Sequence, residues 1–257
     1  MQGQYVLQPL VVGRFPAFPI AKFLYQNNST ETIEAPCISW LAKSTSVNSV
    51  VLVDTGPTVP TAETSKYHQQ LDVREEHRID KVLRANGIDP LEITDVVFTH
   101  LHFDHCSYAE HLPNARILVQ KTEIQYAVAP NPEHRSGYDA GYKHVLPSWI
   151  KAFDKFEIVQ GDVEVAPGFR ILALPGHTPG SAGVVFDTRN GRHAVVGDLV
   201  NQIENWEGKD GKHIAPAINC GVDLCLDSFQ RLEKEADVVL ASHDCRMLDS
   251  AKYGLSL

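Results

Sequence analysis

Asp95-Val96-Val97-Phe98-Thr99-His100-Leu101-His102-Phe103-Asp104-His105 carries the strongest chemical signal in the chain. An apolar strand, read as Val96–Thr99, runs straight into four potential ligands within six residues. Side chains alternate with period two along an extended chain, which puts His100 and His102 on one side. The chain is then predicted to turn into a helix and swing Asp104 and His105 toward a second point. One peptide can thereby serve two adjacent cations: imidazoles suit zinc or iron, and a carboxylate adds charge.

Three further fragments supply what that peptide lacks. Pro175-Gly176-His177-Thr178-Pro179-Gly180 places His177 in a tight turn after the strand Phe169–Leu174. Val195-Val196-Gly197-Asp198 ends the strand Ala194–Gly197 at a carboxylate, and Val238–Ala241 leads to Ser242-His243-Asp244. Each group follows a strand, and open sheets collect functional groups at the carboxyl ends of their strands. Singly, His177 reads as a turn residue, Asp198 as a helix cap and His243 as a buried hydrogen-bonding histidine. Together, they read as one metal centre.

Further strands are expected at Tyr5–Val12, Cys37–Ala42, Val50–Asp54, Ile117–Gln120 and Ala182–Asp187, with a hairpin turn at Asn190-Gly191. Helices are expected over Glu75–Asn86, where Ile79, Val82 and Leu83 share a face and Gly87 is the stop, and over Val222–Glu235. In the second helix Val222, Cys225, Leu226, Phe229 and Leu232 form the apolar stripe. Strands punctuated by helices imply sheets covered by helices, a layered α/β design. Residues 121–152 carry Tyr126, His134, Tyr138, Tyr142, His144 and Trp149 among helix-breaking prolines. That segment reads either as a substrate-facing loop or lid, or as an aromatic patch packed on the core or a dimer partner.

The 257 residues include 23 Lys+Arg against 32 Asp+Glu, a net charge of −9, which argues against a phosphate-backbone binder and so against nucleic acid as partner. Hydrophobic residues make up 43%, enough for a real core, and no linker-like tract appears, so a single domain over 1–257 is expected. No apolar run approaches the roughly 20 residues needed to span a bilayer. The opening MQGQYVLQPLVVGRF lacks a signal-peptide layout and is read as a first strand. Five scattered cysteines without a CxxC pair fit reduced thiols and a cytoplasmic location. Twelve histidines are the one compositional oddity.

In that order, HLHFDH, PGHTPG, VVGD and ASHD resemble the metallo-β-lactamase superfamily, over about residues 37 to 245. The resemblance implies a four-layer αβ/βα sandwich of two mixed β-sheets flanked by helices. It puts His100, His102 and His177 on one divalent ion, and Asp104, His105 and His243 on another, with Asp198 bridging; zinc is the expected metal. Two cations about 3.5–4 Å apart share a water whose pKa falls from 15.7 toward about 7, which gives a bridging hydroxide at neutral pH. Asp104 and Asp198 are then the catalytic carboxylates, Asp104 passing a proton to the leaving group. Asp54, in Val51-Leu52-Val53-Asp54-Thr55-Gly56, is expected either to support a ligating histidine or to cap a turn. Cys106 is read as packing.

Within the superfamily, the Asp198 bridge argues against true β-lactamases, and His102 argues against the diiron oxidoreductases, which place a Glu there. The acidic, single-domain chain argues against the nuclease branches. The overall resemblance is to N-acyl homoserine lactonases, the quorum-quenching type, and relatives such as pyridoxolactonase. It includes HRIDKVLRANGIDPLEITDVVFTHLHFDH, ARILVQKTE and the EVAPGFRILALPGHTPGS stretch. Opening of a small-molecule lactone ring, by hydroxide attack on its ester carbonyl, is the implied activity. Two positions depart from that group. Asn201 stands where its members carry a Tyr, and Ser107-Tyr108 follow the metal loop where a Gly-Gly pair is usual. Asn201, Tyr108, Tyr138 and Tyr142 are the expected substrate contacts. Phe15, Phe18, Phe23 and Tyr25 are expected to line the substrate entrance or the surface of a homodimer. Three other readings stay open: a thioesterase, ester or amide hydrolase on the same two metals, a mononuclear iron persulfide-dioxygenase-like enzyme, and a non-catalytic metal-stabilised binding protein.

Overall fold

Val50-Val51-Leu52-Val53 forms a short strand, β3, buried along its whole length. Its side chains divide between two cores: Val51 and Val53 on one face, Val50 and Leu52 on the other. A run of β-branched residues covered on both faces is the signature of a strand in the middle of a layered sheet. In the computed structural model, which describes residues 4–68 and 70–249, β3 lies near the centre of a six-stranded sheet.

The other strands of that sheet are β1 (Tyr5–Pro19), β2 (Thr32–Ser44), β4 (Asp95–Val97), β5 (Arg116–Gln120) and β6 (Phe156–Val159), in the spatial order β1-β2-β3-β4-β5-β6. β1, β2 and β3 pair antiparallel, and β3 through β6 pair parallel. A five-stranded sheet combines β7 (Val163–Ala166), β8 (Phe169–Ala173), β9 (Ala182–Thr188), β10 (Gly191–Val195) and β11 (Val238–Leu240), in the order β11-β10-β9-β8-β7. Only β10 and β11 run parallel there, so both sheets are mixed.

The inner faces of the two sheets meet in one core, where Tyr5, Trp40, Val97 and Leu118 face Phe169, Ile171, Val184 and Phe186. The outer face of the first sheet is covered by α1 (Ile79–Ala85), α2 (Lys121–Val128) and the turn around Trp149. The second sheet carries α4 (Val222–Glu235), which follows the short α3 (Ile203–Glu207). α4 buries Cys225, Phe229 and Leu232 against that sheet. Each large side chain buried in this way contributes about 1.5–3 kcal/mol. The layers are therefore helix, sheet, sheet, helix, as the sequence implies.

Several local details differ from the sequence reading. The helix expected over Glu75–Asn86 is a 3-10 turn at Glu75–His77 and then α1, because Arg78 between them is extended. Its guanidinium instead clamps Asp80 at 2.5 Å and Glu75 at 2.8 Å. β1 continues to Pro19, past Val12, through bulges between Val11 and Gly13 and between Phe15 and Phe18 that break the period-two pattern. β6 and β7 were not expected. Both are sheet edges with exposed Glu157, Ile158 and Glu164, so neither shows a clear apolar run. In α4, Leu226 is 40% exposed at the margin of the stripe. Ser228 is buried instead, its hydroxyl donating to the Pro175 carbonyl at 2.7 Å. The hairpin at Asn190-Gly191 joins β9 to β10 as expected. Among the described residues, no helix is long and apolar enough to cross a membrane.

Candidate metal centre

β3, β4, β8, β10 and β11 all end on the same rim of the sandwich. The loops that follow them bring Asp54, His100, His102, Asp104, His105, His177, Asp198 and His243 together. After β4 the chain makes a turn over Phe103–His105, not the expected helix. The turn is closed by His105 N–H donating to the His102 carbonyl at 3.1 Å. Leu101 is fully buried in the outer core, so the alternation that turns His100 and His102 the other way persists beyond the strand.

The ligating atoms of His100, His102, His177 and Asp198 all lie within 4.8 Å of one another, and so do those of His105, Asp198 and His243. His177 Nε2 sits 3.0 Å from His102 Nδ1. Asp198 faces both groups: Oδ1 is 3.1 Å from His105 Nε2 and 3.2 Å from His243 Nε2, and Oδ2 is 3.6 Å from His177 Nε2. Asp104 lies at the second group, 3.8 Å from His105 Nε2 and 3.7 Å from His243 Nε2.

The opposite ring nitrogens are held from behind, which fixes the inward ones as lone-pair donors. His105 Nδ1–H donates to Asp54 at 2.7 Å, His177 Nδ1–H to the Ile218 carbonyl at 2.8 Å and His243 Nδ1–H to the Pro36 carbonyl at 2.9 Å. Asp54 also accepts the Thr99 N–H and hydroxyl, both at 2.8 Å, and Thr99 Oγ1 in turn meets His100 Nδ1 at 3.0 Å. Of the two roles expected for Asp54, the histidine-supporting one is therefore seen in the geometry. Ser242 donates to Asp198 Oδ1 at 2.7 Å. Gly197, at φ +53, brings the Asp198 loop against Thr99, where a Cβ would sit 2.4 Å from the hydroxyl.

His100 Nε2 and His105 Nε2 are buried and have no hydrogen-bond partner. Buried polar atoms are normally satisfied, so inward-facing orphans on imidazoles surrounded by carboxylates fit cations between them. The electrostatics agree. Burial together with the neighbouring imidazoles pushes His100 well below the ordinary histidine range, toward the neutral form a ligand needs. Burial would do the same to His105, but Asp198, Asp104 and Asp54 outweigh it and raise its pKa. Asp198 is held well below the usual carboxylate range, because His105 and His243 more than offset its burial. The cluster is thus a set of charges of both signs that suits two divalent cations.

The site lies at the floor of a cleft of about 450 Å³ lined by Phe15, Phe18, Phe23, Tyr67, His68 and Ile218 among others. Three of the four aromatics expected at an entrance or dimer surface are thus in the cleft wall; Tyr25 is not among the lining residues and is 40% exposed. Asn201 lines the cleft, its amide donating to the Asp198 carbonyl at 3.1 Å. The three tyrosines expected to touch substrate are placed elsewhere. Tyr138 is 1% exposed behind His102, with its hydroxyl donating to Glu123 at 2.7 Å. Tyr142 stacks on Tyr67 at 3.8 Å between ring centroids, outside the lining. Tyr108, at φ +64, directs its hydroxyl to accept the Val59 N–H at 3.0 Å. The left-handed backbone at Tyr108 is the conformation that glycine adopts without cost. Within residues 121–152, Glu133, His134, Ser136 and Gly137 line the cleft, and Tyr138 and Trp149 pack in the outer core. Cys106 is buried packing, as expected.

One group the sequence reading passed over is Glu123, fully buried on α2. It accepts the Leu101 N–H at 2.8 Å, the Tyr138 hydroxyl at 2.7 Å and the Thr178 hydroxyl at 2.6 Å. Burial holds its carboxyl above the ordinary range, and those hydrogen bonds offset only part of the rise. It ties the His100 and His177 loops to each other. Its sequence signal was the one used for the ligands, an acidic residue just past an apolar strand, here β5.

The model of the family described as "Metallo-beta-lactamase superfamily" matches residues 35–243, a span that contains every residue of the cluster. The chain belongs to the metallo-β-lactamase superfamily. An N-acyl homoserine lactonase of Bacillus thuringiensis is 30% identical over 183 residues, 69% of this chain and 66% of its own length. The chain thus spans just under two thirds of the curated relatives it matches. Two solved structures share the fold. A quorum-quenching N-acyl homoserine lactone lactonase superposes with TM-score 0.74 at 24% identity, covering 97% of this chain and 96% of its own. A dizinc quorum-quenching lactonase in complex with a product does so with TM-score 0.69 at 19% identity, covering 95% and 88%.

Proposed function

We propose that this superfamily member is a dinuclear hydrolase, a single domain over 1–257, that opens the ring of an N-acyl homoserine lactone or a related lactone with two zinc ions. The observation that carries the reading is Asp198, whose two carboxylate oxygens address different histidine sets at the floor of an aromatic-walled cleft. The names of the curated relatives and of the solved structures point the same way.

His100, His102 and His177 would hold one ion and Asp104, His105 and His243 the other, with Asp198 between them. When bound, the ions supply Lewis acidity at the ester carbonyl and a hydroxide nucleophile at neutral pH. The chain's own residues do the rest. Asp54, Ile218 and Pro36 fix the rings so that the inward nitrogens need no reorientation. Asp104 lies in the cleft lining and takes a proton for the departing alkoxide. Phe15, Phe18 and Phe23 offer an apolar wall for an acyl chain, and Asn201 offers an amide near the ring. A lactone suits this arrangement, since its alkoxide stays tethered and needs one proton. The five free cysteines support the cytoplasm as its location.

The test is proton release from freshly metallated protein on acyl homoserine lactones, simple lactones, a thioester and an aryl ester, with metal content measured on the same sample. Lactone-selective acid release with two ions per chain is expected. Two ions without lactone turnover would overturn the substrate assignment and leave the centre standing.

A further inference from the structure

Beside the ligands that the motifs supply lies a donor that no motif foreshadows. The Cys37 sulfur, an Asp104 carboxylate oxygen and a His243 ring nitrogen lie within 4.8 Å of one another. Cys37 is on β2, 1% exposed and not in a disulfide. Its neighbours are fastened to the His243 loop: the Pro36 carbonyl accepts His243 Nδ1–H at 2.9 Å, and Ile38 N–H donates to the Ser242 carbonyl at 3.3 Å. Because Nδ1 of His243 is committed to Pro36, the nitrogen facing Asp104 and Asp198 is Nε2. The β1 bulge between Val11 and Gly13 falls opposite Ile38 and Cys37, breaking alternation in β1 but not in β2, where Cys37 and Leu41 keep to one face and Ile38 and Trp40 to the other. A second observation marks the same end of the site. His105 Nε2, buried and without a hydrogen-bond partner, lies 3.8 Å from Asp104 and 3.1 Å from Asp198.

We propose that Cys37 is a thiolate ligand of the second divalent ion, joining Asp104, His105 and His243, and that it makes this position selective for a thiophilic ion. Zinc takes sulfur at about 2.3 Å and nitrogen or oxygen at about 2.0–2.2 Å, so donors that meet on one ion end up roughly 3.5 Å apart. Cys37, Asp104 and His243, already within 4.8 Å of one another, reach that spacing through small side-chain shifts, and His105 Nε2 lies 3.8 Å from Asp104. The S–H bond breaks as the sulfur–metal bond forms, and the proton leaves to solvent. The first position offers only imidazoles and the shared carboxylate, so the two positions differ in softness. Sulfur favours zinc or cobalt over manganese or magnesium at the second.

The inference rests on the dinuclear reading above, and cobalt separates the two. The full chain is reconstituted with cobalt(II) alone, and its metal content and absorption spectrum are recorded. Two cobalt ions per chain with a near-ultraviolet thiolate-to-cobalt charge-transfer band are expected. Cys37→Ser should lose that band and keep the visible ligand-field bands. Cys106→Ser should keep both, since the Cys106 thiol donates to the His102 carbonyl at 3.1 Å. Two bound cobalt ions without the band in the parent protein, or the band surviving in Cys37→Ser, overturns the thiolate ligand while the dinuclear centre stands. Fewer than two cobalt ions per chain overturns both. The parent spectrum decides even if Cys37→Ser does not fold.

Discussion

Asp54 Oδ2 lies 2.7 Å from His105 Nδ1, a pairing that spans 51 residues of sequence and joins the end of β3 to the metal loop after β4. The same carboxylate accepts both the Thr99 N–H and its hydroxyl, so one buried side chain sets the orientation of two histidines. Outer partners of this kind are worth about 10–100-fold in metal affinity or activity. Asp54→Asn is expected to fall in that range, read as the chelator concentration that strips half the metal and as kcat/KM on a lactone. Unchanged metal retention would show that His105 needs no orienting carboxylate.

Asp198→Asn replaces one of the two carboxylate oxygens, Oδ1 facing His105 and His243 and Oδ2 facing His177, by an amide nitrogen. Loss of one of two bound ions and of most of the activity is expected, a larger drop than the ~10–100-fold of an outer partner. Metal analysis beside turnover checks it. A variant with two ions and full turnover would remove the dinuclear mechanism.

Glu123→Gln should loosen both ligand loops at once. It takes a charged acceptor from the Leu101 N–H and from the Thr178 and Tyr138 hydroxyls. Each buried donor left unsatisfied costs about 1–3 kcal/mol, and in a chain of this size each kcal/mol lowers Tm by about 2–4 °C. Thermal unfolding of the metal-free protein reads this directly, and a Tm within error of the parent would refute it.

Acid stability should report Asp80 at the start of α1. Burial would raise its carboxyl, but hydrogen bonds from Arg78 and Arg84 outweigh burial and hold it below its ordinary value. A depressed folded-state pKa gives stability that is present above the unfolded value of about 3.9 and is lost as pH falls through the folded one. Asp80→Asn is therefore expected to cost about 1–3 kcal/mol at neutral pH and progressively less below pH ~4. Urea titrations at both pH values check it. An equal cost at both would mean that Asp80 acts by packing alone.

The sequence by itself determined the layered α/β class, because runs such as Val50–Val53 and Ile117–Val119 are apolar along their length and are set off by amphipathic helices. It also named seven of the residues that the fold gathers into the cluster, because they sit in short motifs at strand ends, where local order and tertiary position coincide. What it could not decide were relations carried by distant chain. Tyr108, Tyr138 and Tyr142 look like substrate contacts by nearness in sequence, yet their hydroxyls or rings are turned to Val59, Glu123 and Tyr67. Glu123 closes the ARILVQKTE stretch and Cys37 has no motif, and only the packing of α2 and β2 against the loops gives them their roles. β6 and β7 were missed for a related reason: an edge strand is half solvated, and its backbone pairing leaves little mark on composition. Side chains record where they are buried, and so a core can be read from one chain. The direction in which a side chain points once it is buried depends on its neighbours across the fold, and that belongs to tertiary structure.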